Sequence, residues 1–258
     1  MPSTEFARVT LGCGSFDALC AADFADRFPP HFHETFAIGI VESGSTRLST
    51  QRGVFVARPG SILAFAPGEV HAAVPLGAYT YRMIYPSAEL MREIGVDVGA
   101  FRLPVIDDAA LGDELASAHR SLMDGAGETR FVSVMRSLSA RHPAESANGR
   151  GGDGMIVAGT RRYLEERFAE HVRISAIAEM WGVSPFRLIR AFGRAVGVPP
   201  YKYLVQLRVN RAQAMLRNGA AVVDVAYACG FSDQAHLTRT FRKVVGVPPG
   251  RYLRSVGG

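Results

Sequence analysis

The sequence predicts an α+β chain of two domains, a β-barrel with a helical hairpin followed by an all-α domain with two helix-turn-helix units. Short apolar segments separated by turn residues occupy the first hundred residues, and one helical unit occurs twice in the last hundred. Charge divides the chain similarly: residues 156–258 carry sixteen Lys and Arg against six Asp and Glu, whereas residues 1–155 have a net charge of −5. We expect the basic half to bind a polyanion and the acidic half to bind a regulatory ligand.

The β-domain is predicted over about residues 5–100 from five short strands. They are Thr35–Val41, Thr46–Thr50, Val54–Ala57, Ser61–Ala66 and Tyr79–Tyr85. Turn pairs such as Ser43-Gly44 and Pro67-Gly68 separate them. Evenly spaced short strands with such turns are typical of a small barrel or jelly roll.

Three histidines are the notable polar residues of this domain. His31 and His33 are two positions apart, so both side chains point to one face of an extended strand, and His71 follows the Pro67-Gly68 turn. Three interpretations stay open: coordination of Zn, Ni or Fe(II), polar lining for an organic effector, and hydrogen-bonded histidines with a structural role.

A helical hairpin over residues 107–138 completes a predicted first domain of residues 1–140. Its apolar positions follow helical spacing on both sides of a turn at Gly125 to Gly127: Leu111, Leu115, Leu122, Phe131, Val134, Met135 and Leu138. Packing against the barrel and dimerisation both stay open as its role. Residues 141–154 lack apolar periodicity and are rich in Gly and Ser, which predicts a flexible linker before a domain of residues 155–258.

The last hundred residues contain a near-repeat. Leu188–Leu204 reads LIRAFGRAVGVPPYKYL, and forty-nine positions later Leu237–Leu253 reads LTRTFRKVVGVPPGRYL. Upstream, three residues of each copy correspond at a spacing of forty-eight: Ala178, Gly182 and Ser184 match Ala226, Gly230 and Ser232. One residue is therefore gained between Ser232 and Leu237. Two copies of one unit usually read two equivalent features of a partner.

Each copy has the pattern of a helix-turn-helix. In the first, a helix over Ile174–Met180 leads to a turn at Gly182, and Ser184 stands as an N-cap before Pro185. In the second, Ser232 is predicted to cap the corresponding helix. Apolar residues at helical spacing predict the buried faces: Leu188, Ile189, Phe192 and Val196 in the first copy, and Leu237, Phe241 and Val244 in the second.

The other faces of these two helices are basic and polar, with no acid beyond Asp233 at the helix start. Such faces suit the acceptor-rich major groove of DNA and the phosphates beside it. The predicted DNA-binding residues are Ser184, Phe186, Arg187, Arg190, Arg194, Ser232, Asp233, Gln234, His236, Arg239, Arg242 and Lys243.

Between the copies, Tyr201–Arg217 is predicted to form one helix that stops at Asn218-Gly219. Its length is about 25 Å. A helix of this length can hold two reading helices at a spacing comparable to the ~34 Å between successive major-groove faces. One chain is therefore predicted to read two adjacent grooves.

Residues of about 155–255 resemble the DNA-binding domain of the AraC/XylS family of bacterial transcription regulators. The most specific stretch is VAYACGFSDQAHLTRTFRKVVGVPPGRYL, where Gly230-Phe231 fits the end of the first helix and Ser232-Asp233-Gln234 the start of the recognition helix. The histidine spacing, with Pro67-Gly68 before His71, resembles the two motifs of the cupin fold. Together with Tyr81–Pro86 it also resembles the sensory cupin domains of AraC-type regulators.

The resemblance implies a transcription regulator, an activator in the family's usual form, in the bacterial cytoplasm. It implies binding to promoter DNA, a homodimer, contact with RNA polymerase and a small-molecule effector near His31, His33, His71 and Tyr81. The alternative is a metal-dependent cupin enzyme with an accessory DNA-binding domain. Metal-binding cupins add a glutamate to such histidines, but Ala37 or Ile38 stands where that glutamate is expected.

No other catalytic constellation is visible in the sequence, so the chain is predicted not to be an enzyme and to require no cofactor. A divalent transition metal at His31, His33 and His71 is the one candidate. No apolar run approaches the roughly 20 residues that span a bilayer, and the N-terminus lacks a signal-peptide pattern, which predicts a cytosolic chain without membrane partners. Of the three cysteines, Cys229 is expected in the helical core.

Overall fold

The computed structural model describes residues 3–96, 101–143, 152–245 and 247–256. The chain divides into two compact units, Met1–Ala147 and Asn148–Gly258. The described strands of the first unit are β1 (Ser3–Leu11), β2 (Gly14–Phe24), β3 (Phe28–His31), β4 (Ala37–Ser43), β5 (Thr46–Thr50), β6 (Gly53–Ala57), β7 (Ser61–Phe65), β8 (His71–Pro75), β9 (Tyr79–Tyr85) and β10 (Val105–Asp107). Its described helices are α1 (Ala88–Glu93), α2 (Ala109–Met123) and α3 (Glu128–Arg141).

Two antiparallel sheets form the N-terminal unit. One has the strand order β1-β2-β9-β4-β7-β10, and the other has the order β3-β8-β5-β6. A core of apolar residues from both sheets lies between them, including Leu19 of β2, Leu48 of β5 and Ala73 of β8. The predicted β-barrel or jelly roll is confirmed in this two-sheet form.

The central strands of the larger sheet are buried on both faces. In β4, Ala37 and Val41 belong to the core between the sheets, whereas Ile38 and Ile40 belong to a second core under the helices. Side chains alternate along a strand, so a continuous apolar run serves two cores at once. This explains why β4 lacks the alternation of an ordinary half-exposed strand.

The predicted helical hairpin is present as α2 and α3, which cover the outer face of the larger sheet. All seven of its predicted apolar residues are buried. Phe131 of α3 stacks on Phe16 of β2 with ring centroids 4.9 Å apart. Packing against the sheet is therefore one role of the hairpin, and dimerisation stays a prediction.

The sequence patterns located five strands and missed the others. Thr35 lies before β4, which begins at Ala37, and Ala66 lies after the end of β7. The missed strands include the β1–β2 hairpin, in which Ser3 lies opposite Ala22 and Leu11 opposite Gly14. Its residues mix polar and apolar types because β1 is the edge of the sheet and most of its side chains are exposed or half-buried.

The described helices of the second unit are α4 (Gly152–Glu166), α5 (Ile174–Met180), α6 (Pro185–Val196), α7 (Pro200–Arg217), α8 (Val222–Ala228), α9 (Gln234–Val245) and α10 (Pro249–Val256). The predicted linker over residues 141–154 is shorter at both ends, since Arg141 ends α3 and Gly152 begins α4. Residues 144–151 of that prediction lie outside the described residues. The predicted long helix is α7, which ends one residue before the predicted stop at Asn218-Gly219.

The two repeats share one packing plan. Phe192 of α6 meets Tyr203 edge to face at 5.5 Å, and Phe241 of α9 meets Tyr252 in the same way at 5.4 Å. In each pair the two aromatic residues are eleven positions apart in sequence, and a Val-Pro-Pro turn lies between them. Proline has no backbone N–H to donate. The first residues of a helix need no such donor, because their N–H groups have no partner inside the helix, so proline suits the start of the helix that follows. Accordingly, Pro199 is the N-cap of α7 and Pro200 its first residue.

One predicted core position is exposed, and a second, Val244, is only partly buried against the core. Ile189 is 39% exposed, and Ala191 is buried in its place beside Leu188, Phe192 and Val196. Both residues have apolar side chains, so the sequence alone did not separate the buried one from the exposed one. Cys229 is fully buried, as expected.

Candidate functional site

The first candidate recognition helix is α6. Its N-cap is Ser184, whose Oγ accepts a hydrogen bond from the backbone N–H of Arg187 at 3.2 Å. Phe186 is 68% exposed, and the guanidinium of Arg190 lies over its ring at 5.4 Å. This pair forms a small exposed platform that combines an apolar surface with a cation.

Asp153 in the first turn of α4 faces this helix. Arg187 donates to Asp153 Oδ1 at 3.1 Å, and Arg194 donates to Oδ2 at 3.4 Å. One carboxylate thus pairs with two of the arginines predicted to bind DNA. Asp153 was not among the predicted site residues, because it lay in the predicted linker, thirty-four residues before Arg187.

The second candidate recognition helix, α9, is capped by Asp233. Its Oδ1 accepts a hydrogen bond from the backbone N–H of His236 at 2.7 Å. The prediction that Ser232 caps this helix is therefore wrong, although Ser232 supports the cap by donating its hydroxyl to Asp233 Oδ2 at 3.0 Å. These two donors, the His236 N–H first, lower the pKa of Asp233.

With Asp233 as the N-cap, the extra residue of the second copy lies at a different place in the alignment of the two units. Ser184 and Asp233, the two N-caps, are forty-nine positions apart, the same spacing as between Leu188 and Leu237. The gained residue therefore lies in the turn before α9 and not inside the helix. Equivalent positions of α6 and α9 then match directly: Phe186 with Ala235, Arg187 with His236, and Arg190 with Arg239.

All twelve predicted DNA-binding residues lie in the two recognition helices or in the turns that begin them. Eleven are exposed, and the exception is the half-buried His236, whose ring meets Phe231 edge to face at 5.2 Å. Their availability to solvent is compatible with binding to DNA, and their individual roles stay predictions.

The second candidate site lies in the N-terminal unit, where three histidines meet. His31 at the end of β3 lies directly opposite His71, the first residue of β8, and His33 follows two residues after His31. The ring centroids are 4.4 Å apart for His31 and His71, 5.2 Å for His31 and His33, and 5.4 Å for His33 and His71. One nitrogen from each ring lies within 4.8 Å of the others. We call these three residues the histidine cluster.

Backbone carbonyls hold two rings of the histidine cluster. His31 Nδ1 lies 2.8 Å from the carbonyl oxygen of Pro29, and His71 Nδ1 lies 3.0 Å from that of Glu69. A carbonyl oxygen only accepts, so each Nδ1 carries the proton and donates. In the neutral ring, Nε2 is then the nitrogen with a free lone pair.

Burial keeps the histidine cluster neutral. Desolvation is the largest cause that lowers the pKa of all three imidazoles. Repulsion from His31 also lowers the pKa of His71 and that of His33, which the two causes together bring to about 3. At neutral pH the cluster therefore offers uncharged nitrogen atoms.

Aromatic rings surround the histidine cluster. Phe65 stacks on His71 at 3.8 Å, and Tyr85 lies 4.9 Å from His33. Phe28 lies 5.8 Å from His31 and 6.4 Å from Tyr81, and so connects Tyr81 with the cluster. The structure thus brings together the four residues predicted to bind an effector, in an environment of stacked and edge-to-face rings.

The carboxylate of Glu69, two residues before His71, is directed elsewhere. Among the residues that the structure describes, the cluster of potential metal ligands here contains three histidines and no acid. Glu69 pairs with Arg52 and accepts the backbone N–H of Ala66 at 3.2 Å. Ala37 and Ile38, at the place of the usual cupin glutamate, are fully buried core residues. The three-histidine set therefore lacks the fourth ligand of a metal-binding cupin.

Comparisons with known proteins agree with this two-part arrangement. Residues 16–140 match the model of the AraC-like ligand-binding domain, and residues 177–255 match that of a helix-turn-helix domain. The HTH-type transcriptional regulator YbfI of Bacillus subtilis is 29% identical over 228 residues, which are 82% of each chain. The transcriptional activator RhaS of Escherichia coli is 42% identical over 77 residues, which are 30% of this chain and 28% of RhaS.

Among solved structures, ToxT from Vibrio cholerae covers 100% of this chain and 99% of its own, with a TM-score of 0.57 and 11% identity. At that identity the likeness concerns the fold alone. None of the described helices combines the length and apolarity needed to cross a membrane. With its ligand-binding domain preceding a helix-turn-helix domain and with these relatives, the chain is a transcription regulator of the AraC family.

Proposed function

We propose that this regulator reads two successive major-groove segments of one operator with α6 and α9, and that a small organic effector in the N-terminal unit modulates this binding. The observation that carries the proposal is the pair of matched recognition helices. Each has a buried face fixed by an edge-to-face Phe–Tyr pair and an exposed face rich in cations. Exposed arginines at helix faces suit guanine edges and phosphates.

The linking helix supports a two-groove arrangement. α7 has eighteen residues, which corresponds to about 27 Å. This length is of the same order as the ~34 Å that separates successive major-groove faces on one side of DNA. Because Phe186 and Arg187 in one unit correspond to Ala235 and His236 in the other, we infer that the two half-sequences differ and that the operator of one chain is asymmetric.

The effector is proposed to bind at the histidine cluster and Tyr81. The site combines aromatic walls with a few polar groups, the composition expected of a small-molecule pocket. A homodimer, contact with RNA polymerase and a cytoplasmic location belong to the same proposal, in line with relatives named as transcriptional regulators and activators. We propose a regulatory and not a catalytic role, in line with the match to a helix-turn-helix domain and with a relative named as a transcriptional regulator.

The DNA-binding proposal is tested with Arg190→Ala and Arg239→Ala on an operator located by genomic footprinting of the bound protein. If each arginine reads a base, each variant should lose on the order of 1–3 kcal/mol of binding free energy and lose discrimination at one position. The two positions should lie about one helical turn apart. Binding is measured by fluorescence anisotropy on the operator and on single-base variants.

Arg162→Ala on α4 is the matched control, because Arg162 is an exposed arginine outside both recognition helices. It should bind the operator within about twofold of the parent chain. An equal loss for Arg190→Ala on every sequence would assign that arginine to phosphate contact. A footprint with two identical half-sequences would contradict the asymmetric operator. Thermal-shift screening of metabolites, with Tyr81→Phe as comparison, tests the effector site separately.

A further inference from the structure

We propose that the histidine cluster binds one divalent transition-metal ion through three imidazole nitrogens, with Nε2 as the donor atom of His31 and His71. The ion would lie at the site proposed for the effector, so its regulatory role rests on the proposed function, whereas its coordination chemistry does not. Three side chains from two strands and the segment after β3 already place one nitrogen each within 4.8 Å of the others.

The hydrogen bonds of the cluster match those of metal-binding histidines. Such residues generally donate the second ring N–H to a carbonyl or carboxylate, which fixes the tautomer and the ring orientation. His31 donates to Pro29 O and His71 to Glu69 O, both through Nδ1. Both acceptors lie two residues before their histidine, so the local backbone of each strand directs the other nitrogen of the ring into the cluster.

Electrostatics favour a cation over other occupants of this position. Three neutral imidazoles can turn lone pairs toward one another, and a metal ion converts that arrangement into three bonds. Metal–nitrogen bonds are about 2.0–2.1 Å long, so the donor atoms need to approach by roughly an ångström, which ring rotations can supply.

The donor set indicates the class of metal. Calcium and magnesium take oxygen ligands, whereas imidazole suits Zn, Ni, Cu and Fe(II). Three protein ligands leave at least one coordination position open. No described carboxylate joins the cluster to offset the charge of a divalent ion. Since a buried uncompensated charge is costly, we infer that the open position takes an anion, such as a carboxylate of the effector.

The test uses full-length protein without a polyhistidine tag, stripped with a chelator and titrated with Co(II) and with Zn(II). We expect about one equivalent of metal by mass spectrometry and a visible Co(II) spectrum typical of nitrogen ligands. His33→Gln, which removes one donor from a half-buried position, should weaken metal binding by at least about a hundredfold. Acetate should then change the Co(II) spectrum of the parent protein if a coordination position is open.

His119→Gln is the matched control. His119 is a buried histidine of the same N-terminal unit, but it contacts Met83 O at 3.2 Å and lies outside the cluster. It should bind metal like the parent chain, and circular dichroism should show both variants folded. A second cluster variant, His31→Gln, provides the same comparison if His33→Gln fails to fold.

Less than about a tenth of an equivalent in the parent protein would overturn the metal site. Equal affinity in the parent and both cluster variants would place the metal elsewhere and would also overturn it. A Co(II) spectrum indifferent to acetate would overturn the open position. Operator binding is measured on the same samples. Specific DNA binding by a protein that binds no metal would support the proposed function and contradict the metal site. Metal binding without specific DNA recognition would support the metal site and contradict the proposed function.

Discussion

In the first helix-turn-helix unit the turn glycine, Gly182, has open space where a side chain would begin, whereas Gly230 in the second unit lies against the backbone of Ala169. Both have positive φ, +63° and +74°. The second turn is therefore packed against the segment between α4 and α5. Arg208 of α7 fixes that segment by donating to Phe168 O at 2.7 Å and to Glu170 O at 2.8 Å.

The polar faces of the two units differ as well. Asp153 pairs with Arg187 and Arg194 of α6, whereas no described carboxylate forms an ion pair with Arg239, Arg242 or Lys243 of α9. The buried Phe–Tyr pair is the same in both units. Duplication thus preserved the core that positions each helix, while the turns and the charged faces diverged.

Substitution of the turn glycines should reveal the largest difference. Alanine at either position has the left-handed backbone penalty of about 1–2 kcal/mol. Gly230→Ala also places Cβ 2.5 Å from the backbone oxygen of Ala169, where a close contact forces backbone movement. We therefore expect a loss of unfolding free energy of about 3 kcal/mol or more for Gly230→Ala and about 1–2 kcal/mol for Gly182→Ala.

Urea unfolding followed by circular dichroism and by fluorescence of Trp181, the one tryptophan of the chain, measures both losses. Trp181 lies in the C-terminal unit, so its signal reports that unit. Gly250→Ala is a control with open space at its Cβ position. Equal losses for the two turn glycines would refute the packing difference between the turns.

Removal of the N-caps should have an intermediate effect. Asp233→Ala and Ser184→Ala each remove a side-chain oxygen that accepts a backbone N–H, which typically costs about 1 kcal/mol. Ser232→Ala removes only a hydroxyl that supports Asp233, so its cost should be less than half as large. Thermal unfolding of the three variants measures the order, and a larger loss for Ser232→Ala than for Asp233→Ala would restore serine as the cap.

Neutralisation of Asp153 should have the smallest effect. Asp153→Asn releases Arg187 and Arg194 from an exposed ion pair worth about 0–1 kcal/mol. DNA affinity should rise about two- to fivefold at low salt and less at high salt, because salt screens exposed charges. The binding experiment on the footprinted operator measures this change.

Asp224→Asn is the matched control for Asp153→Asn, since Asp224 is an exposed acid in the first turn of α8, the first helix of the second helix-turn-helix unit. Both substitutions remove one negative charge. Only the excess of Asp153→Asn over Asp224→Asn reflects release of the arginines, and equal gains would show that Asp153 does not restrain α6.

The helices were the most predictable part of the fold, because their signals are local. Ile174–Met180 was predicted with the observed bounds, and the long helix was predicted to within one residue of α7. Caps, prolines and glycines act over three or four residues, so they can be recognised without a tertiary structure. The error at Ser232 arose where a neighbouring acid offered the same capping chemistry one position later.

The candidate sites were predictable as residue types and less so as geometry. The sequence pointed to His31, His33 and His71 through their spacing and turns. It held no information on the carbonyls of Pro29 and Glu69 that orient two of the rings, because residue spacing does not specify the backbone conformation that brings each carbonyl to its histidine. Asp153 was missed for a different reason, since its arginine partners are distant in sequence.

By itself the sequence determined the order of the domains, the duplicated helix-turn-helix, most helix ends and the identity of the polar residues in both sites. Those features follow from local periodicity, turn chemistry and charge. Only the tertiary structure decided that β2 pairs with both β1 and β9, that Ile189 is exposed while Ala191 is buried, and that three histidines share one aromatic environment. Strand pairing and burial depend on contacts between residues far apart in the chain, and no short sequence pattern specifies them.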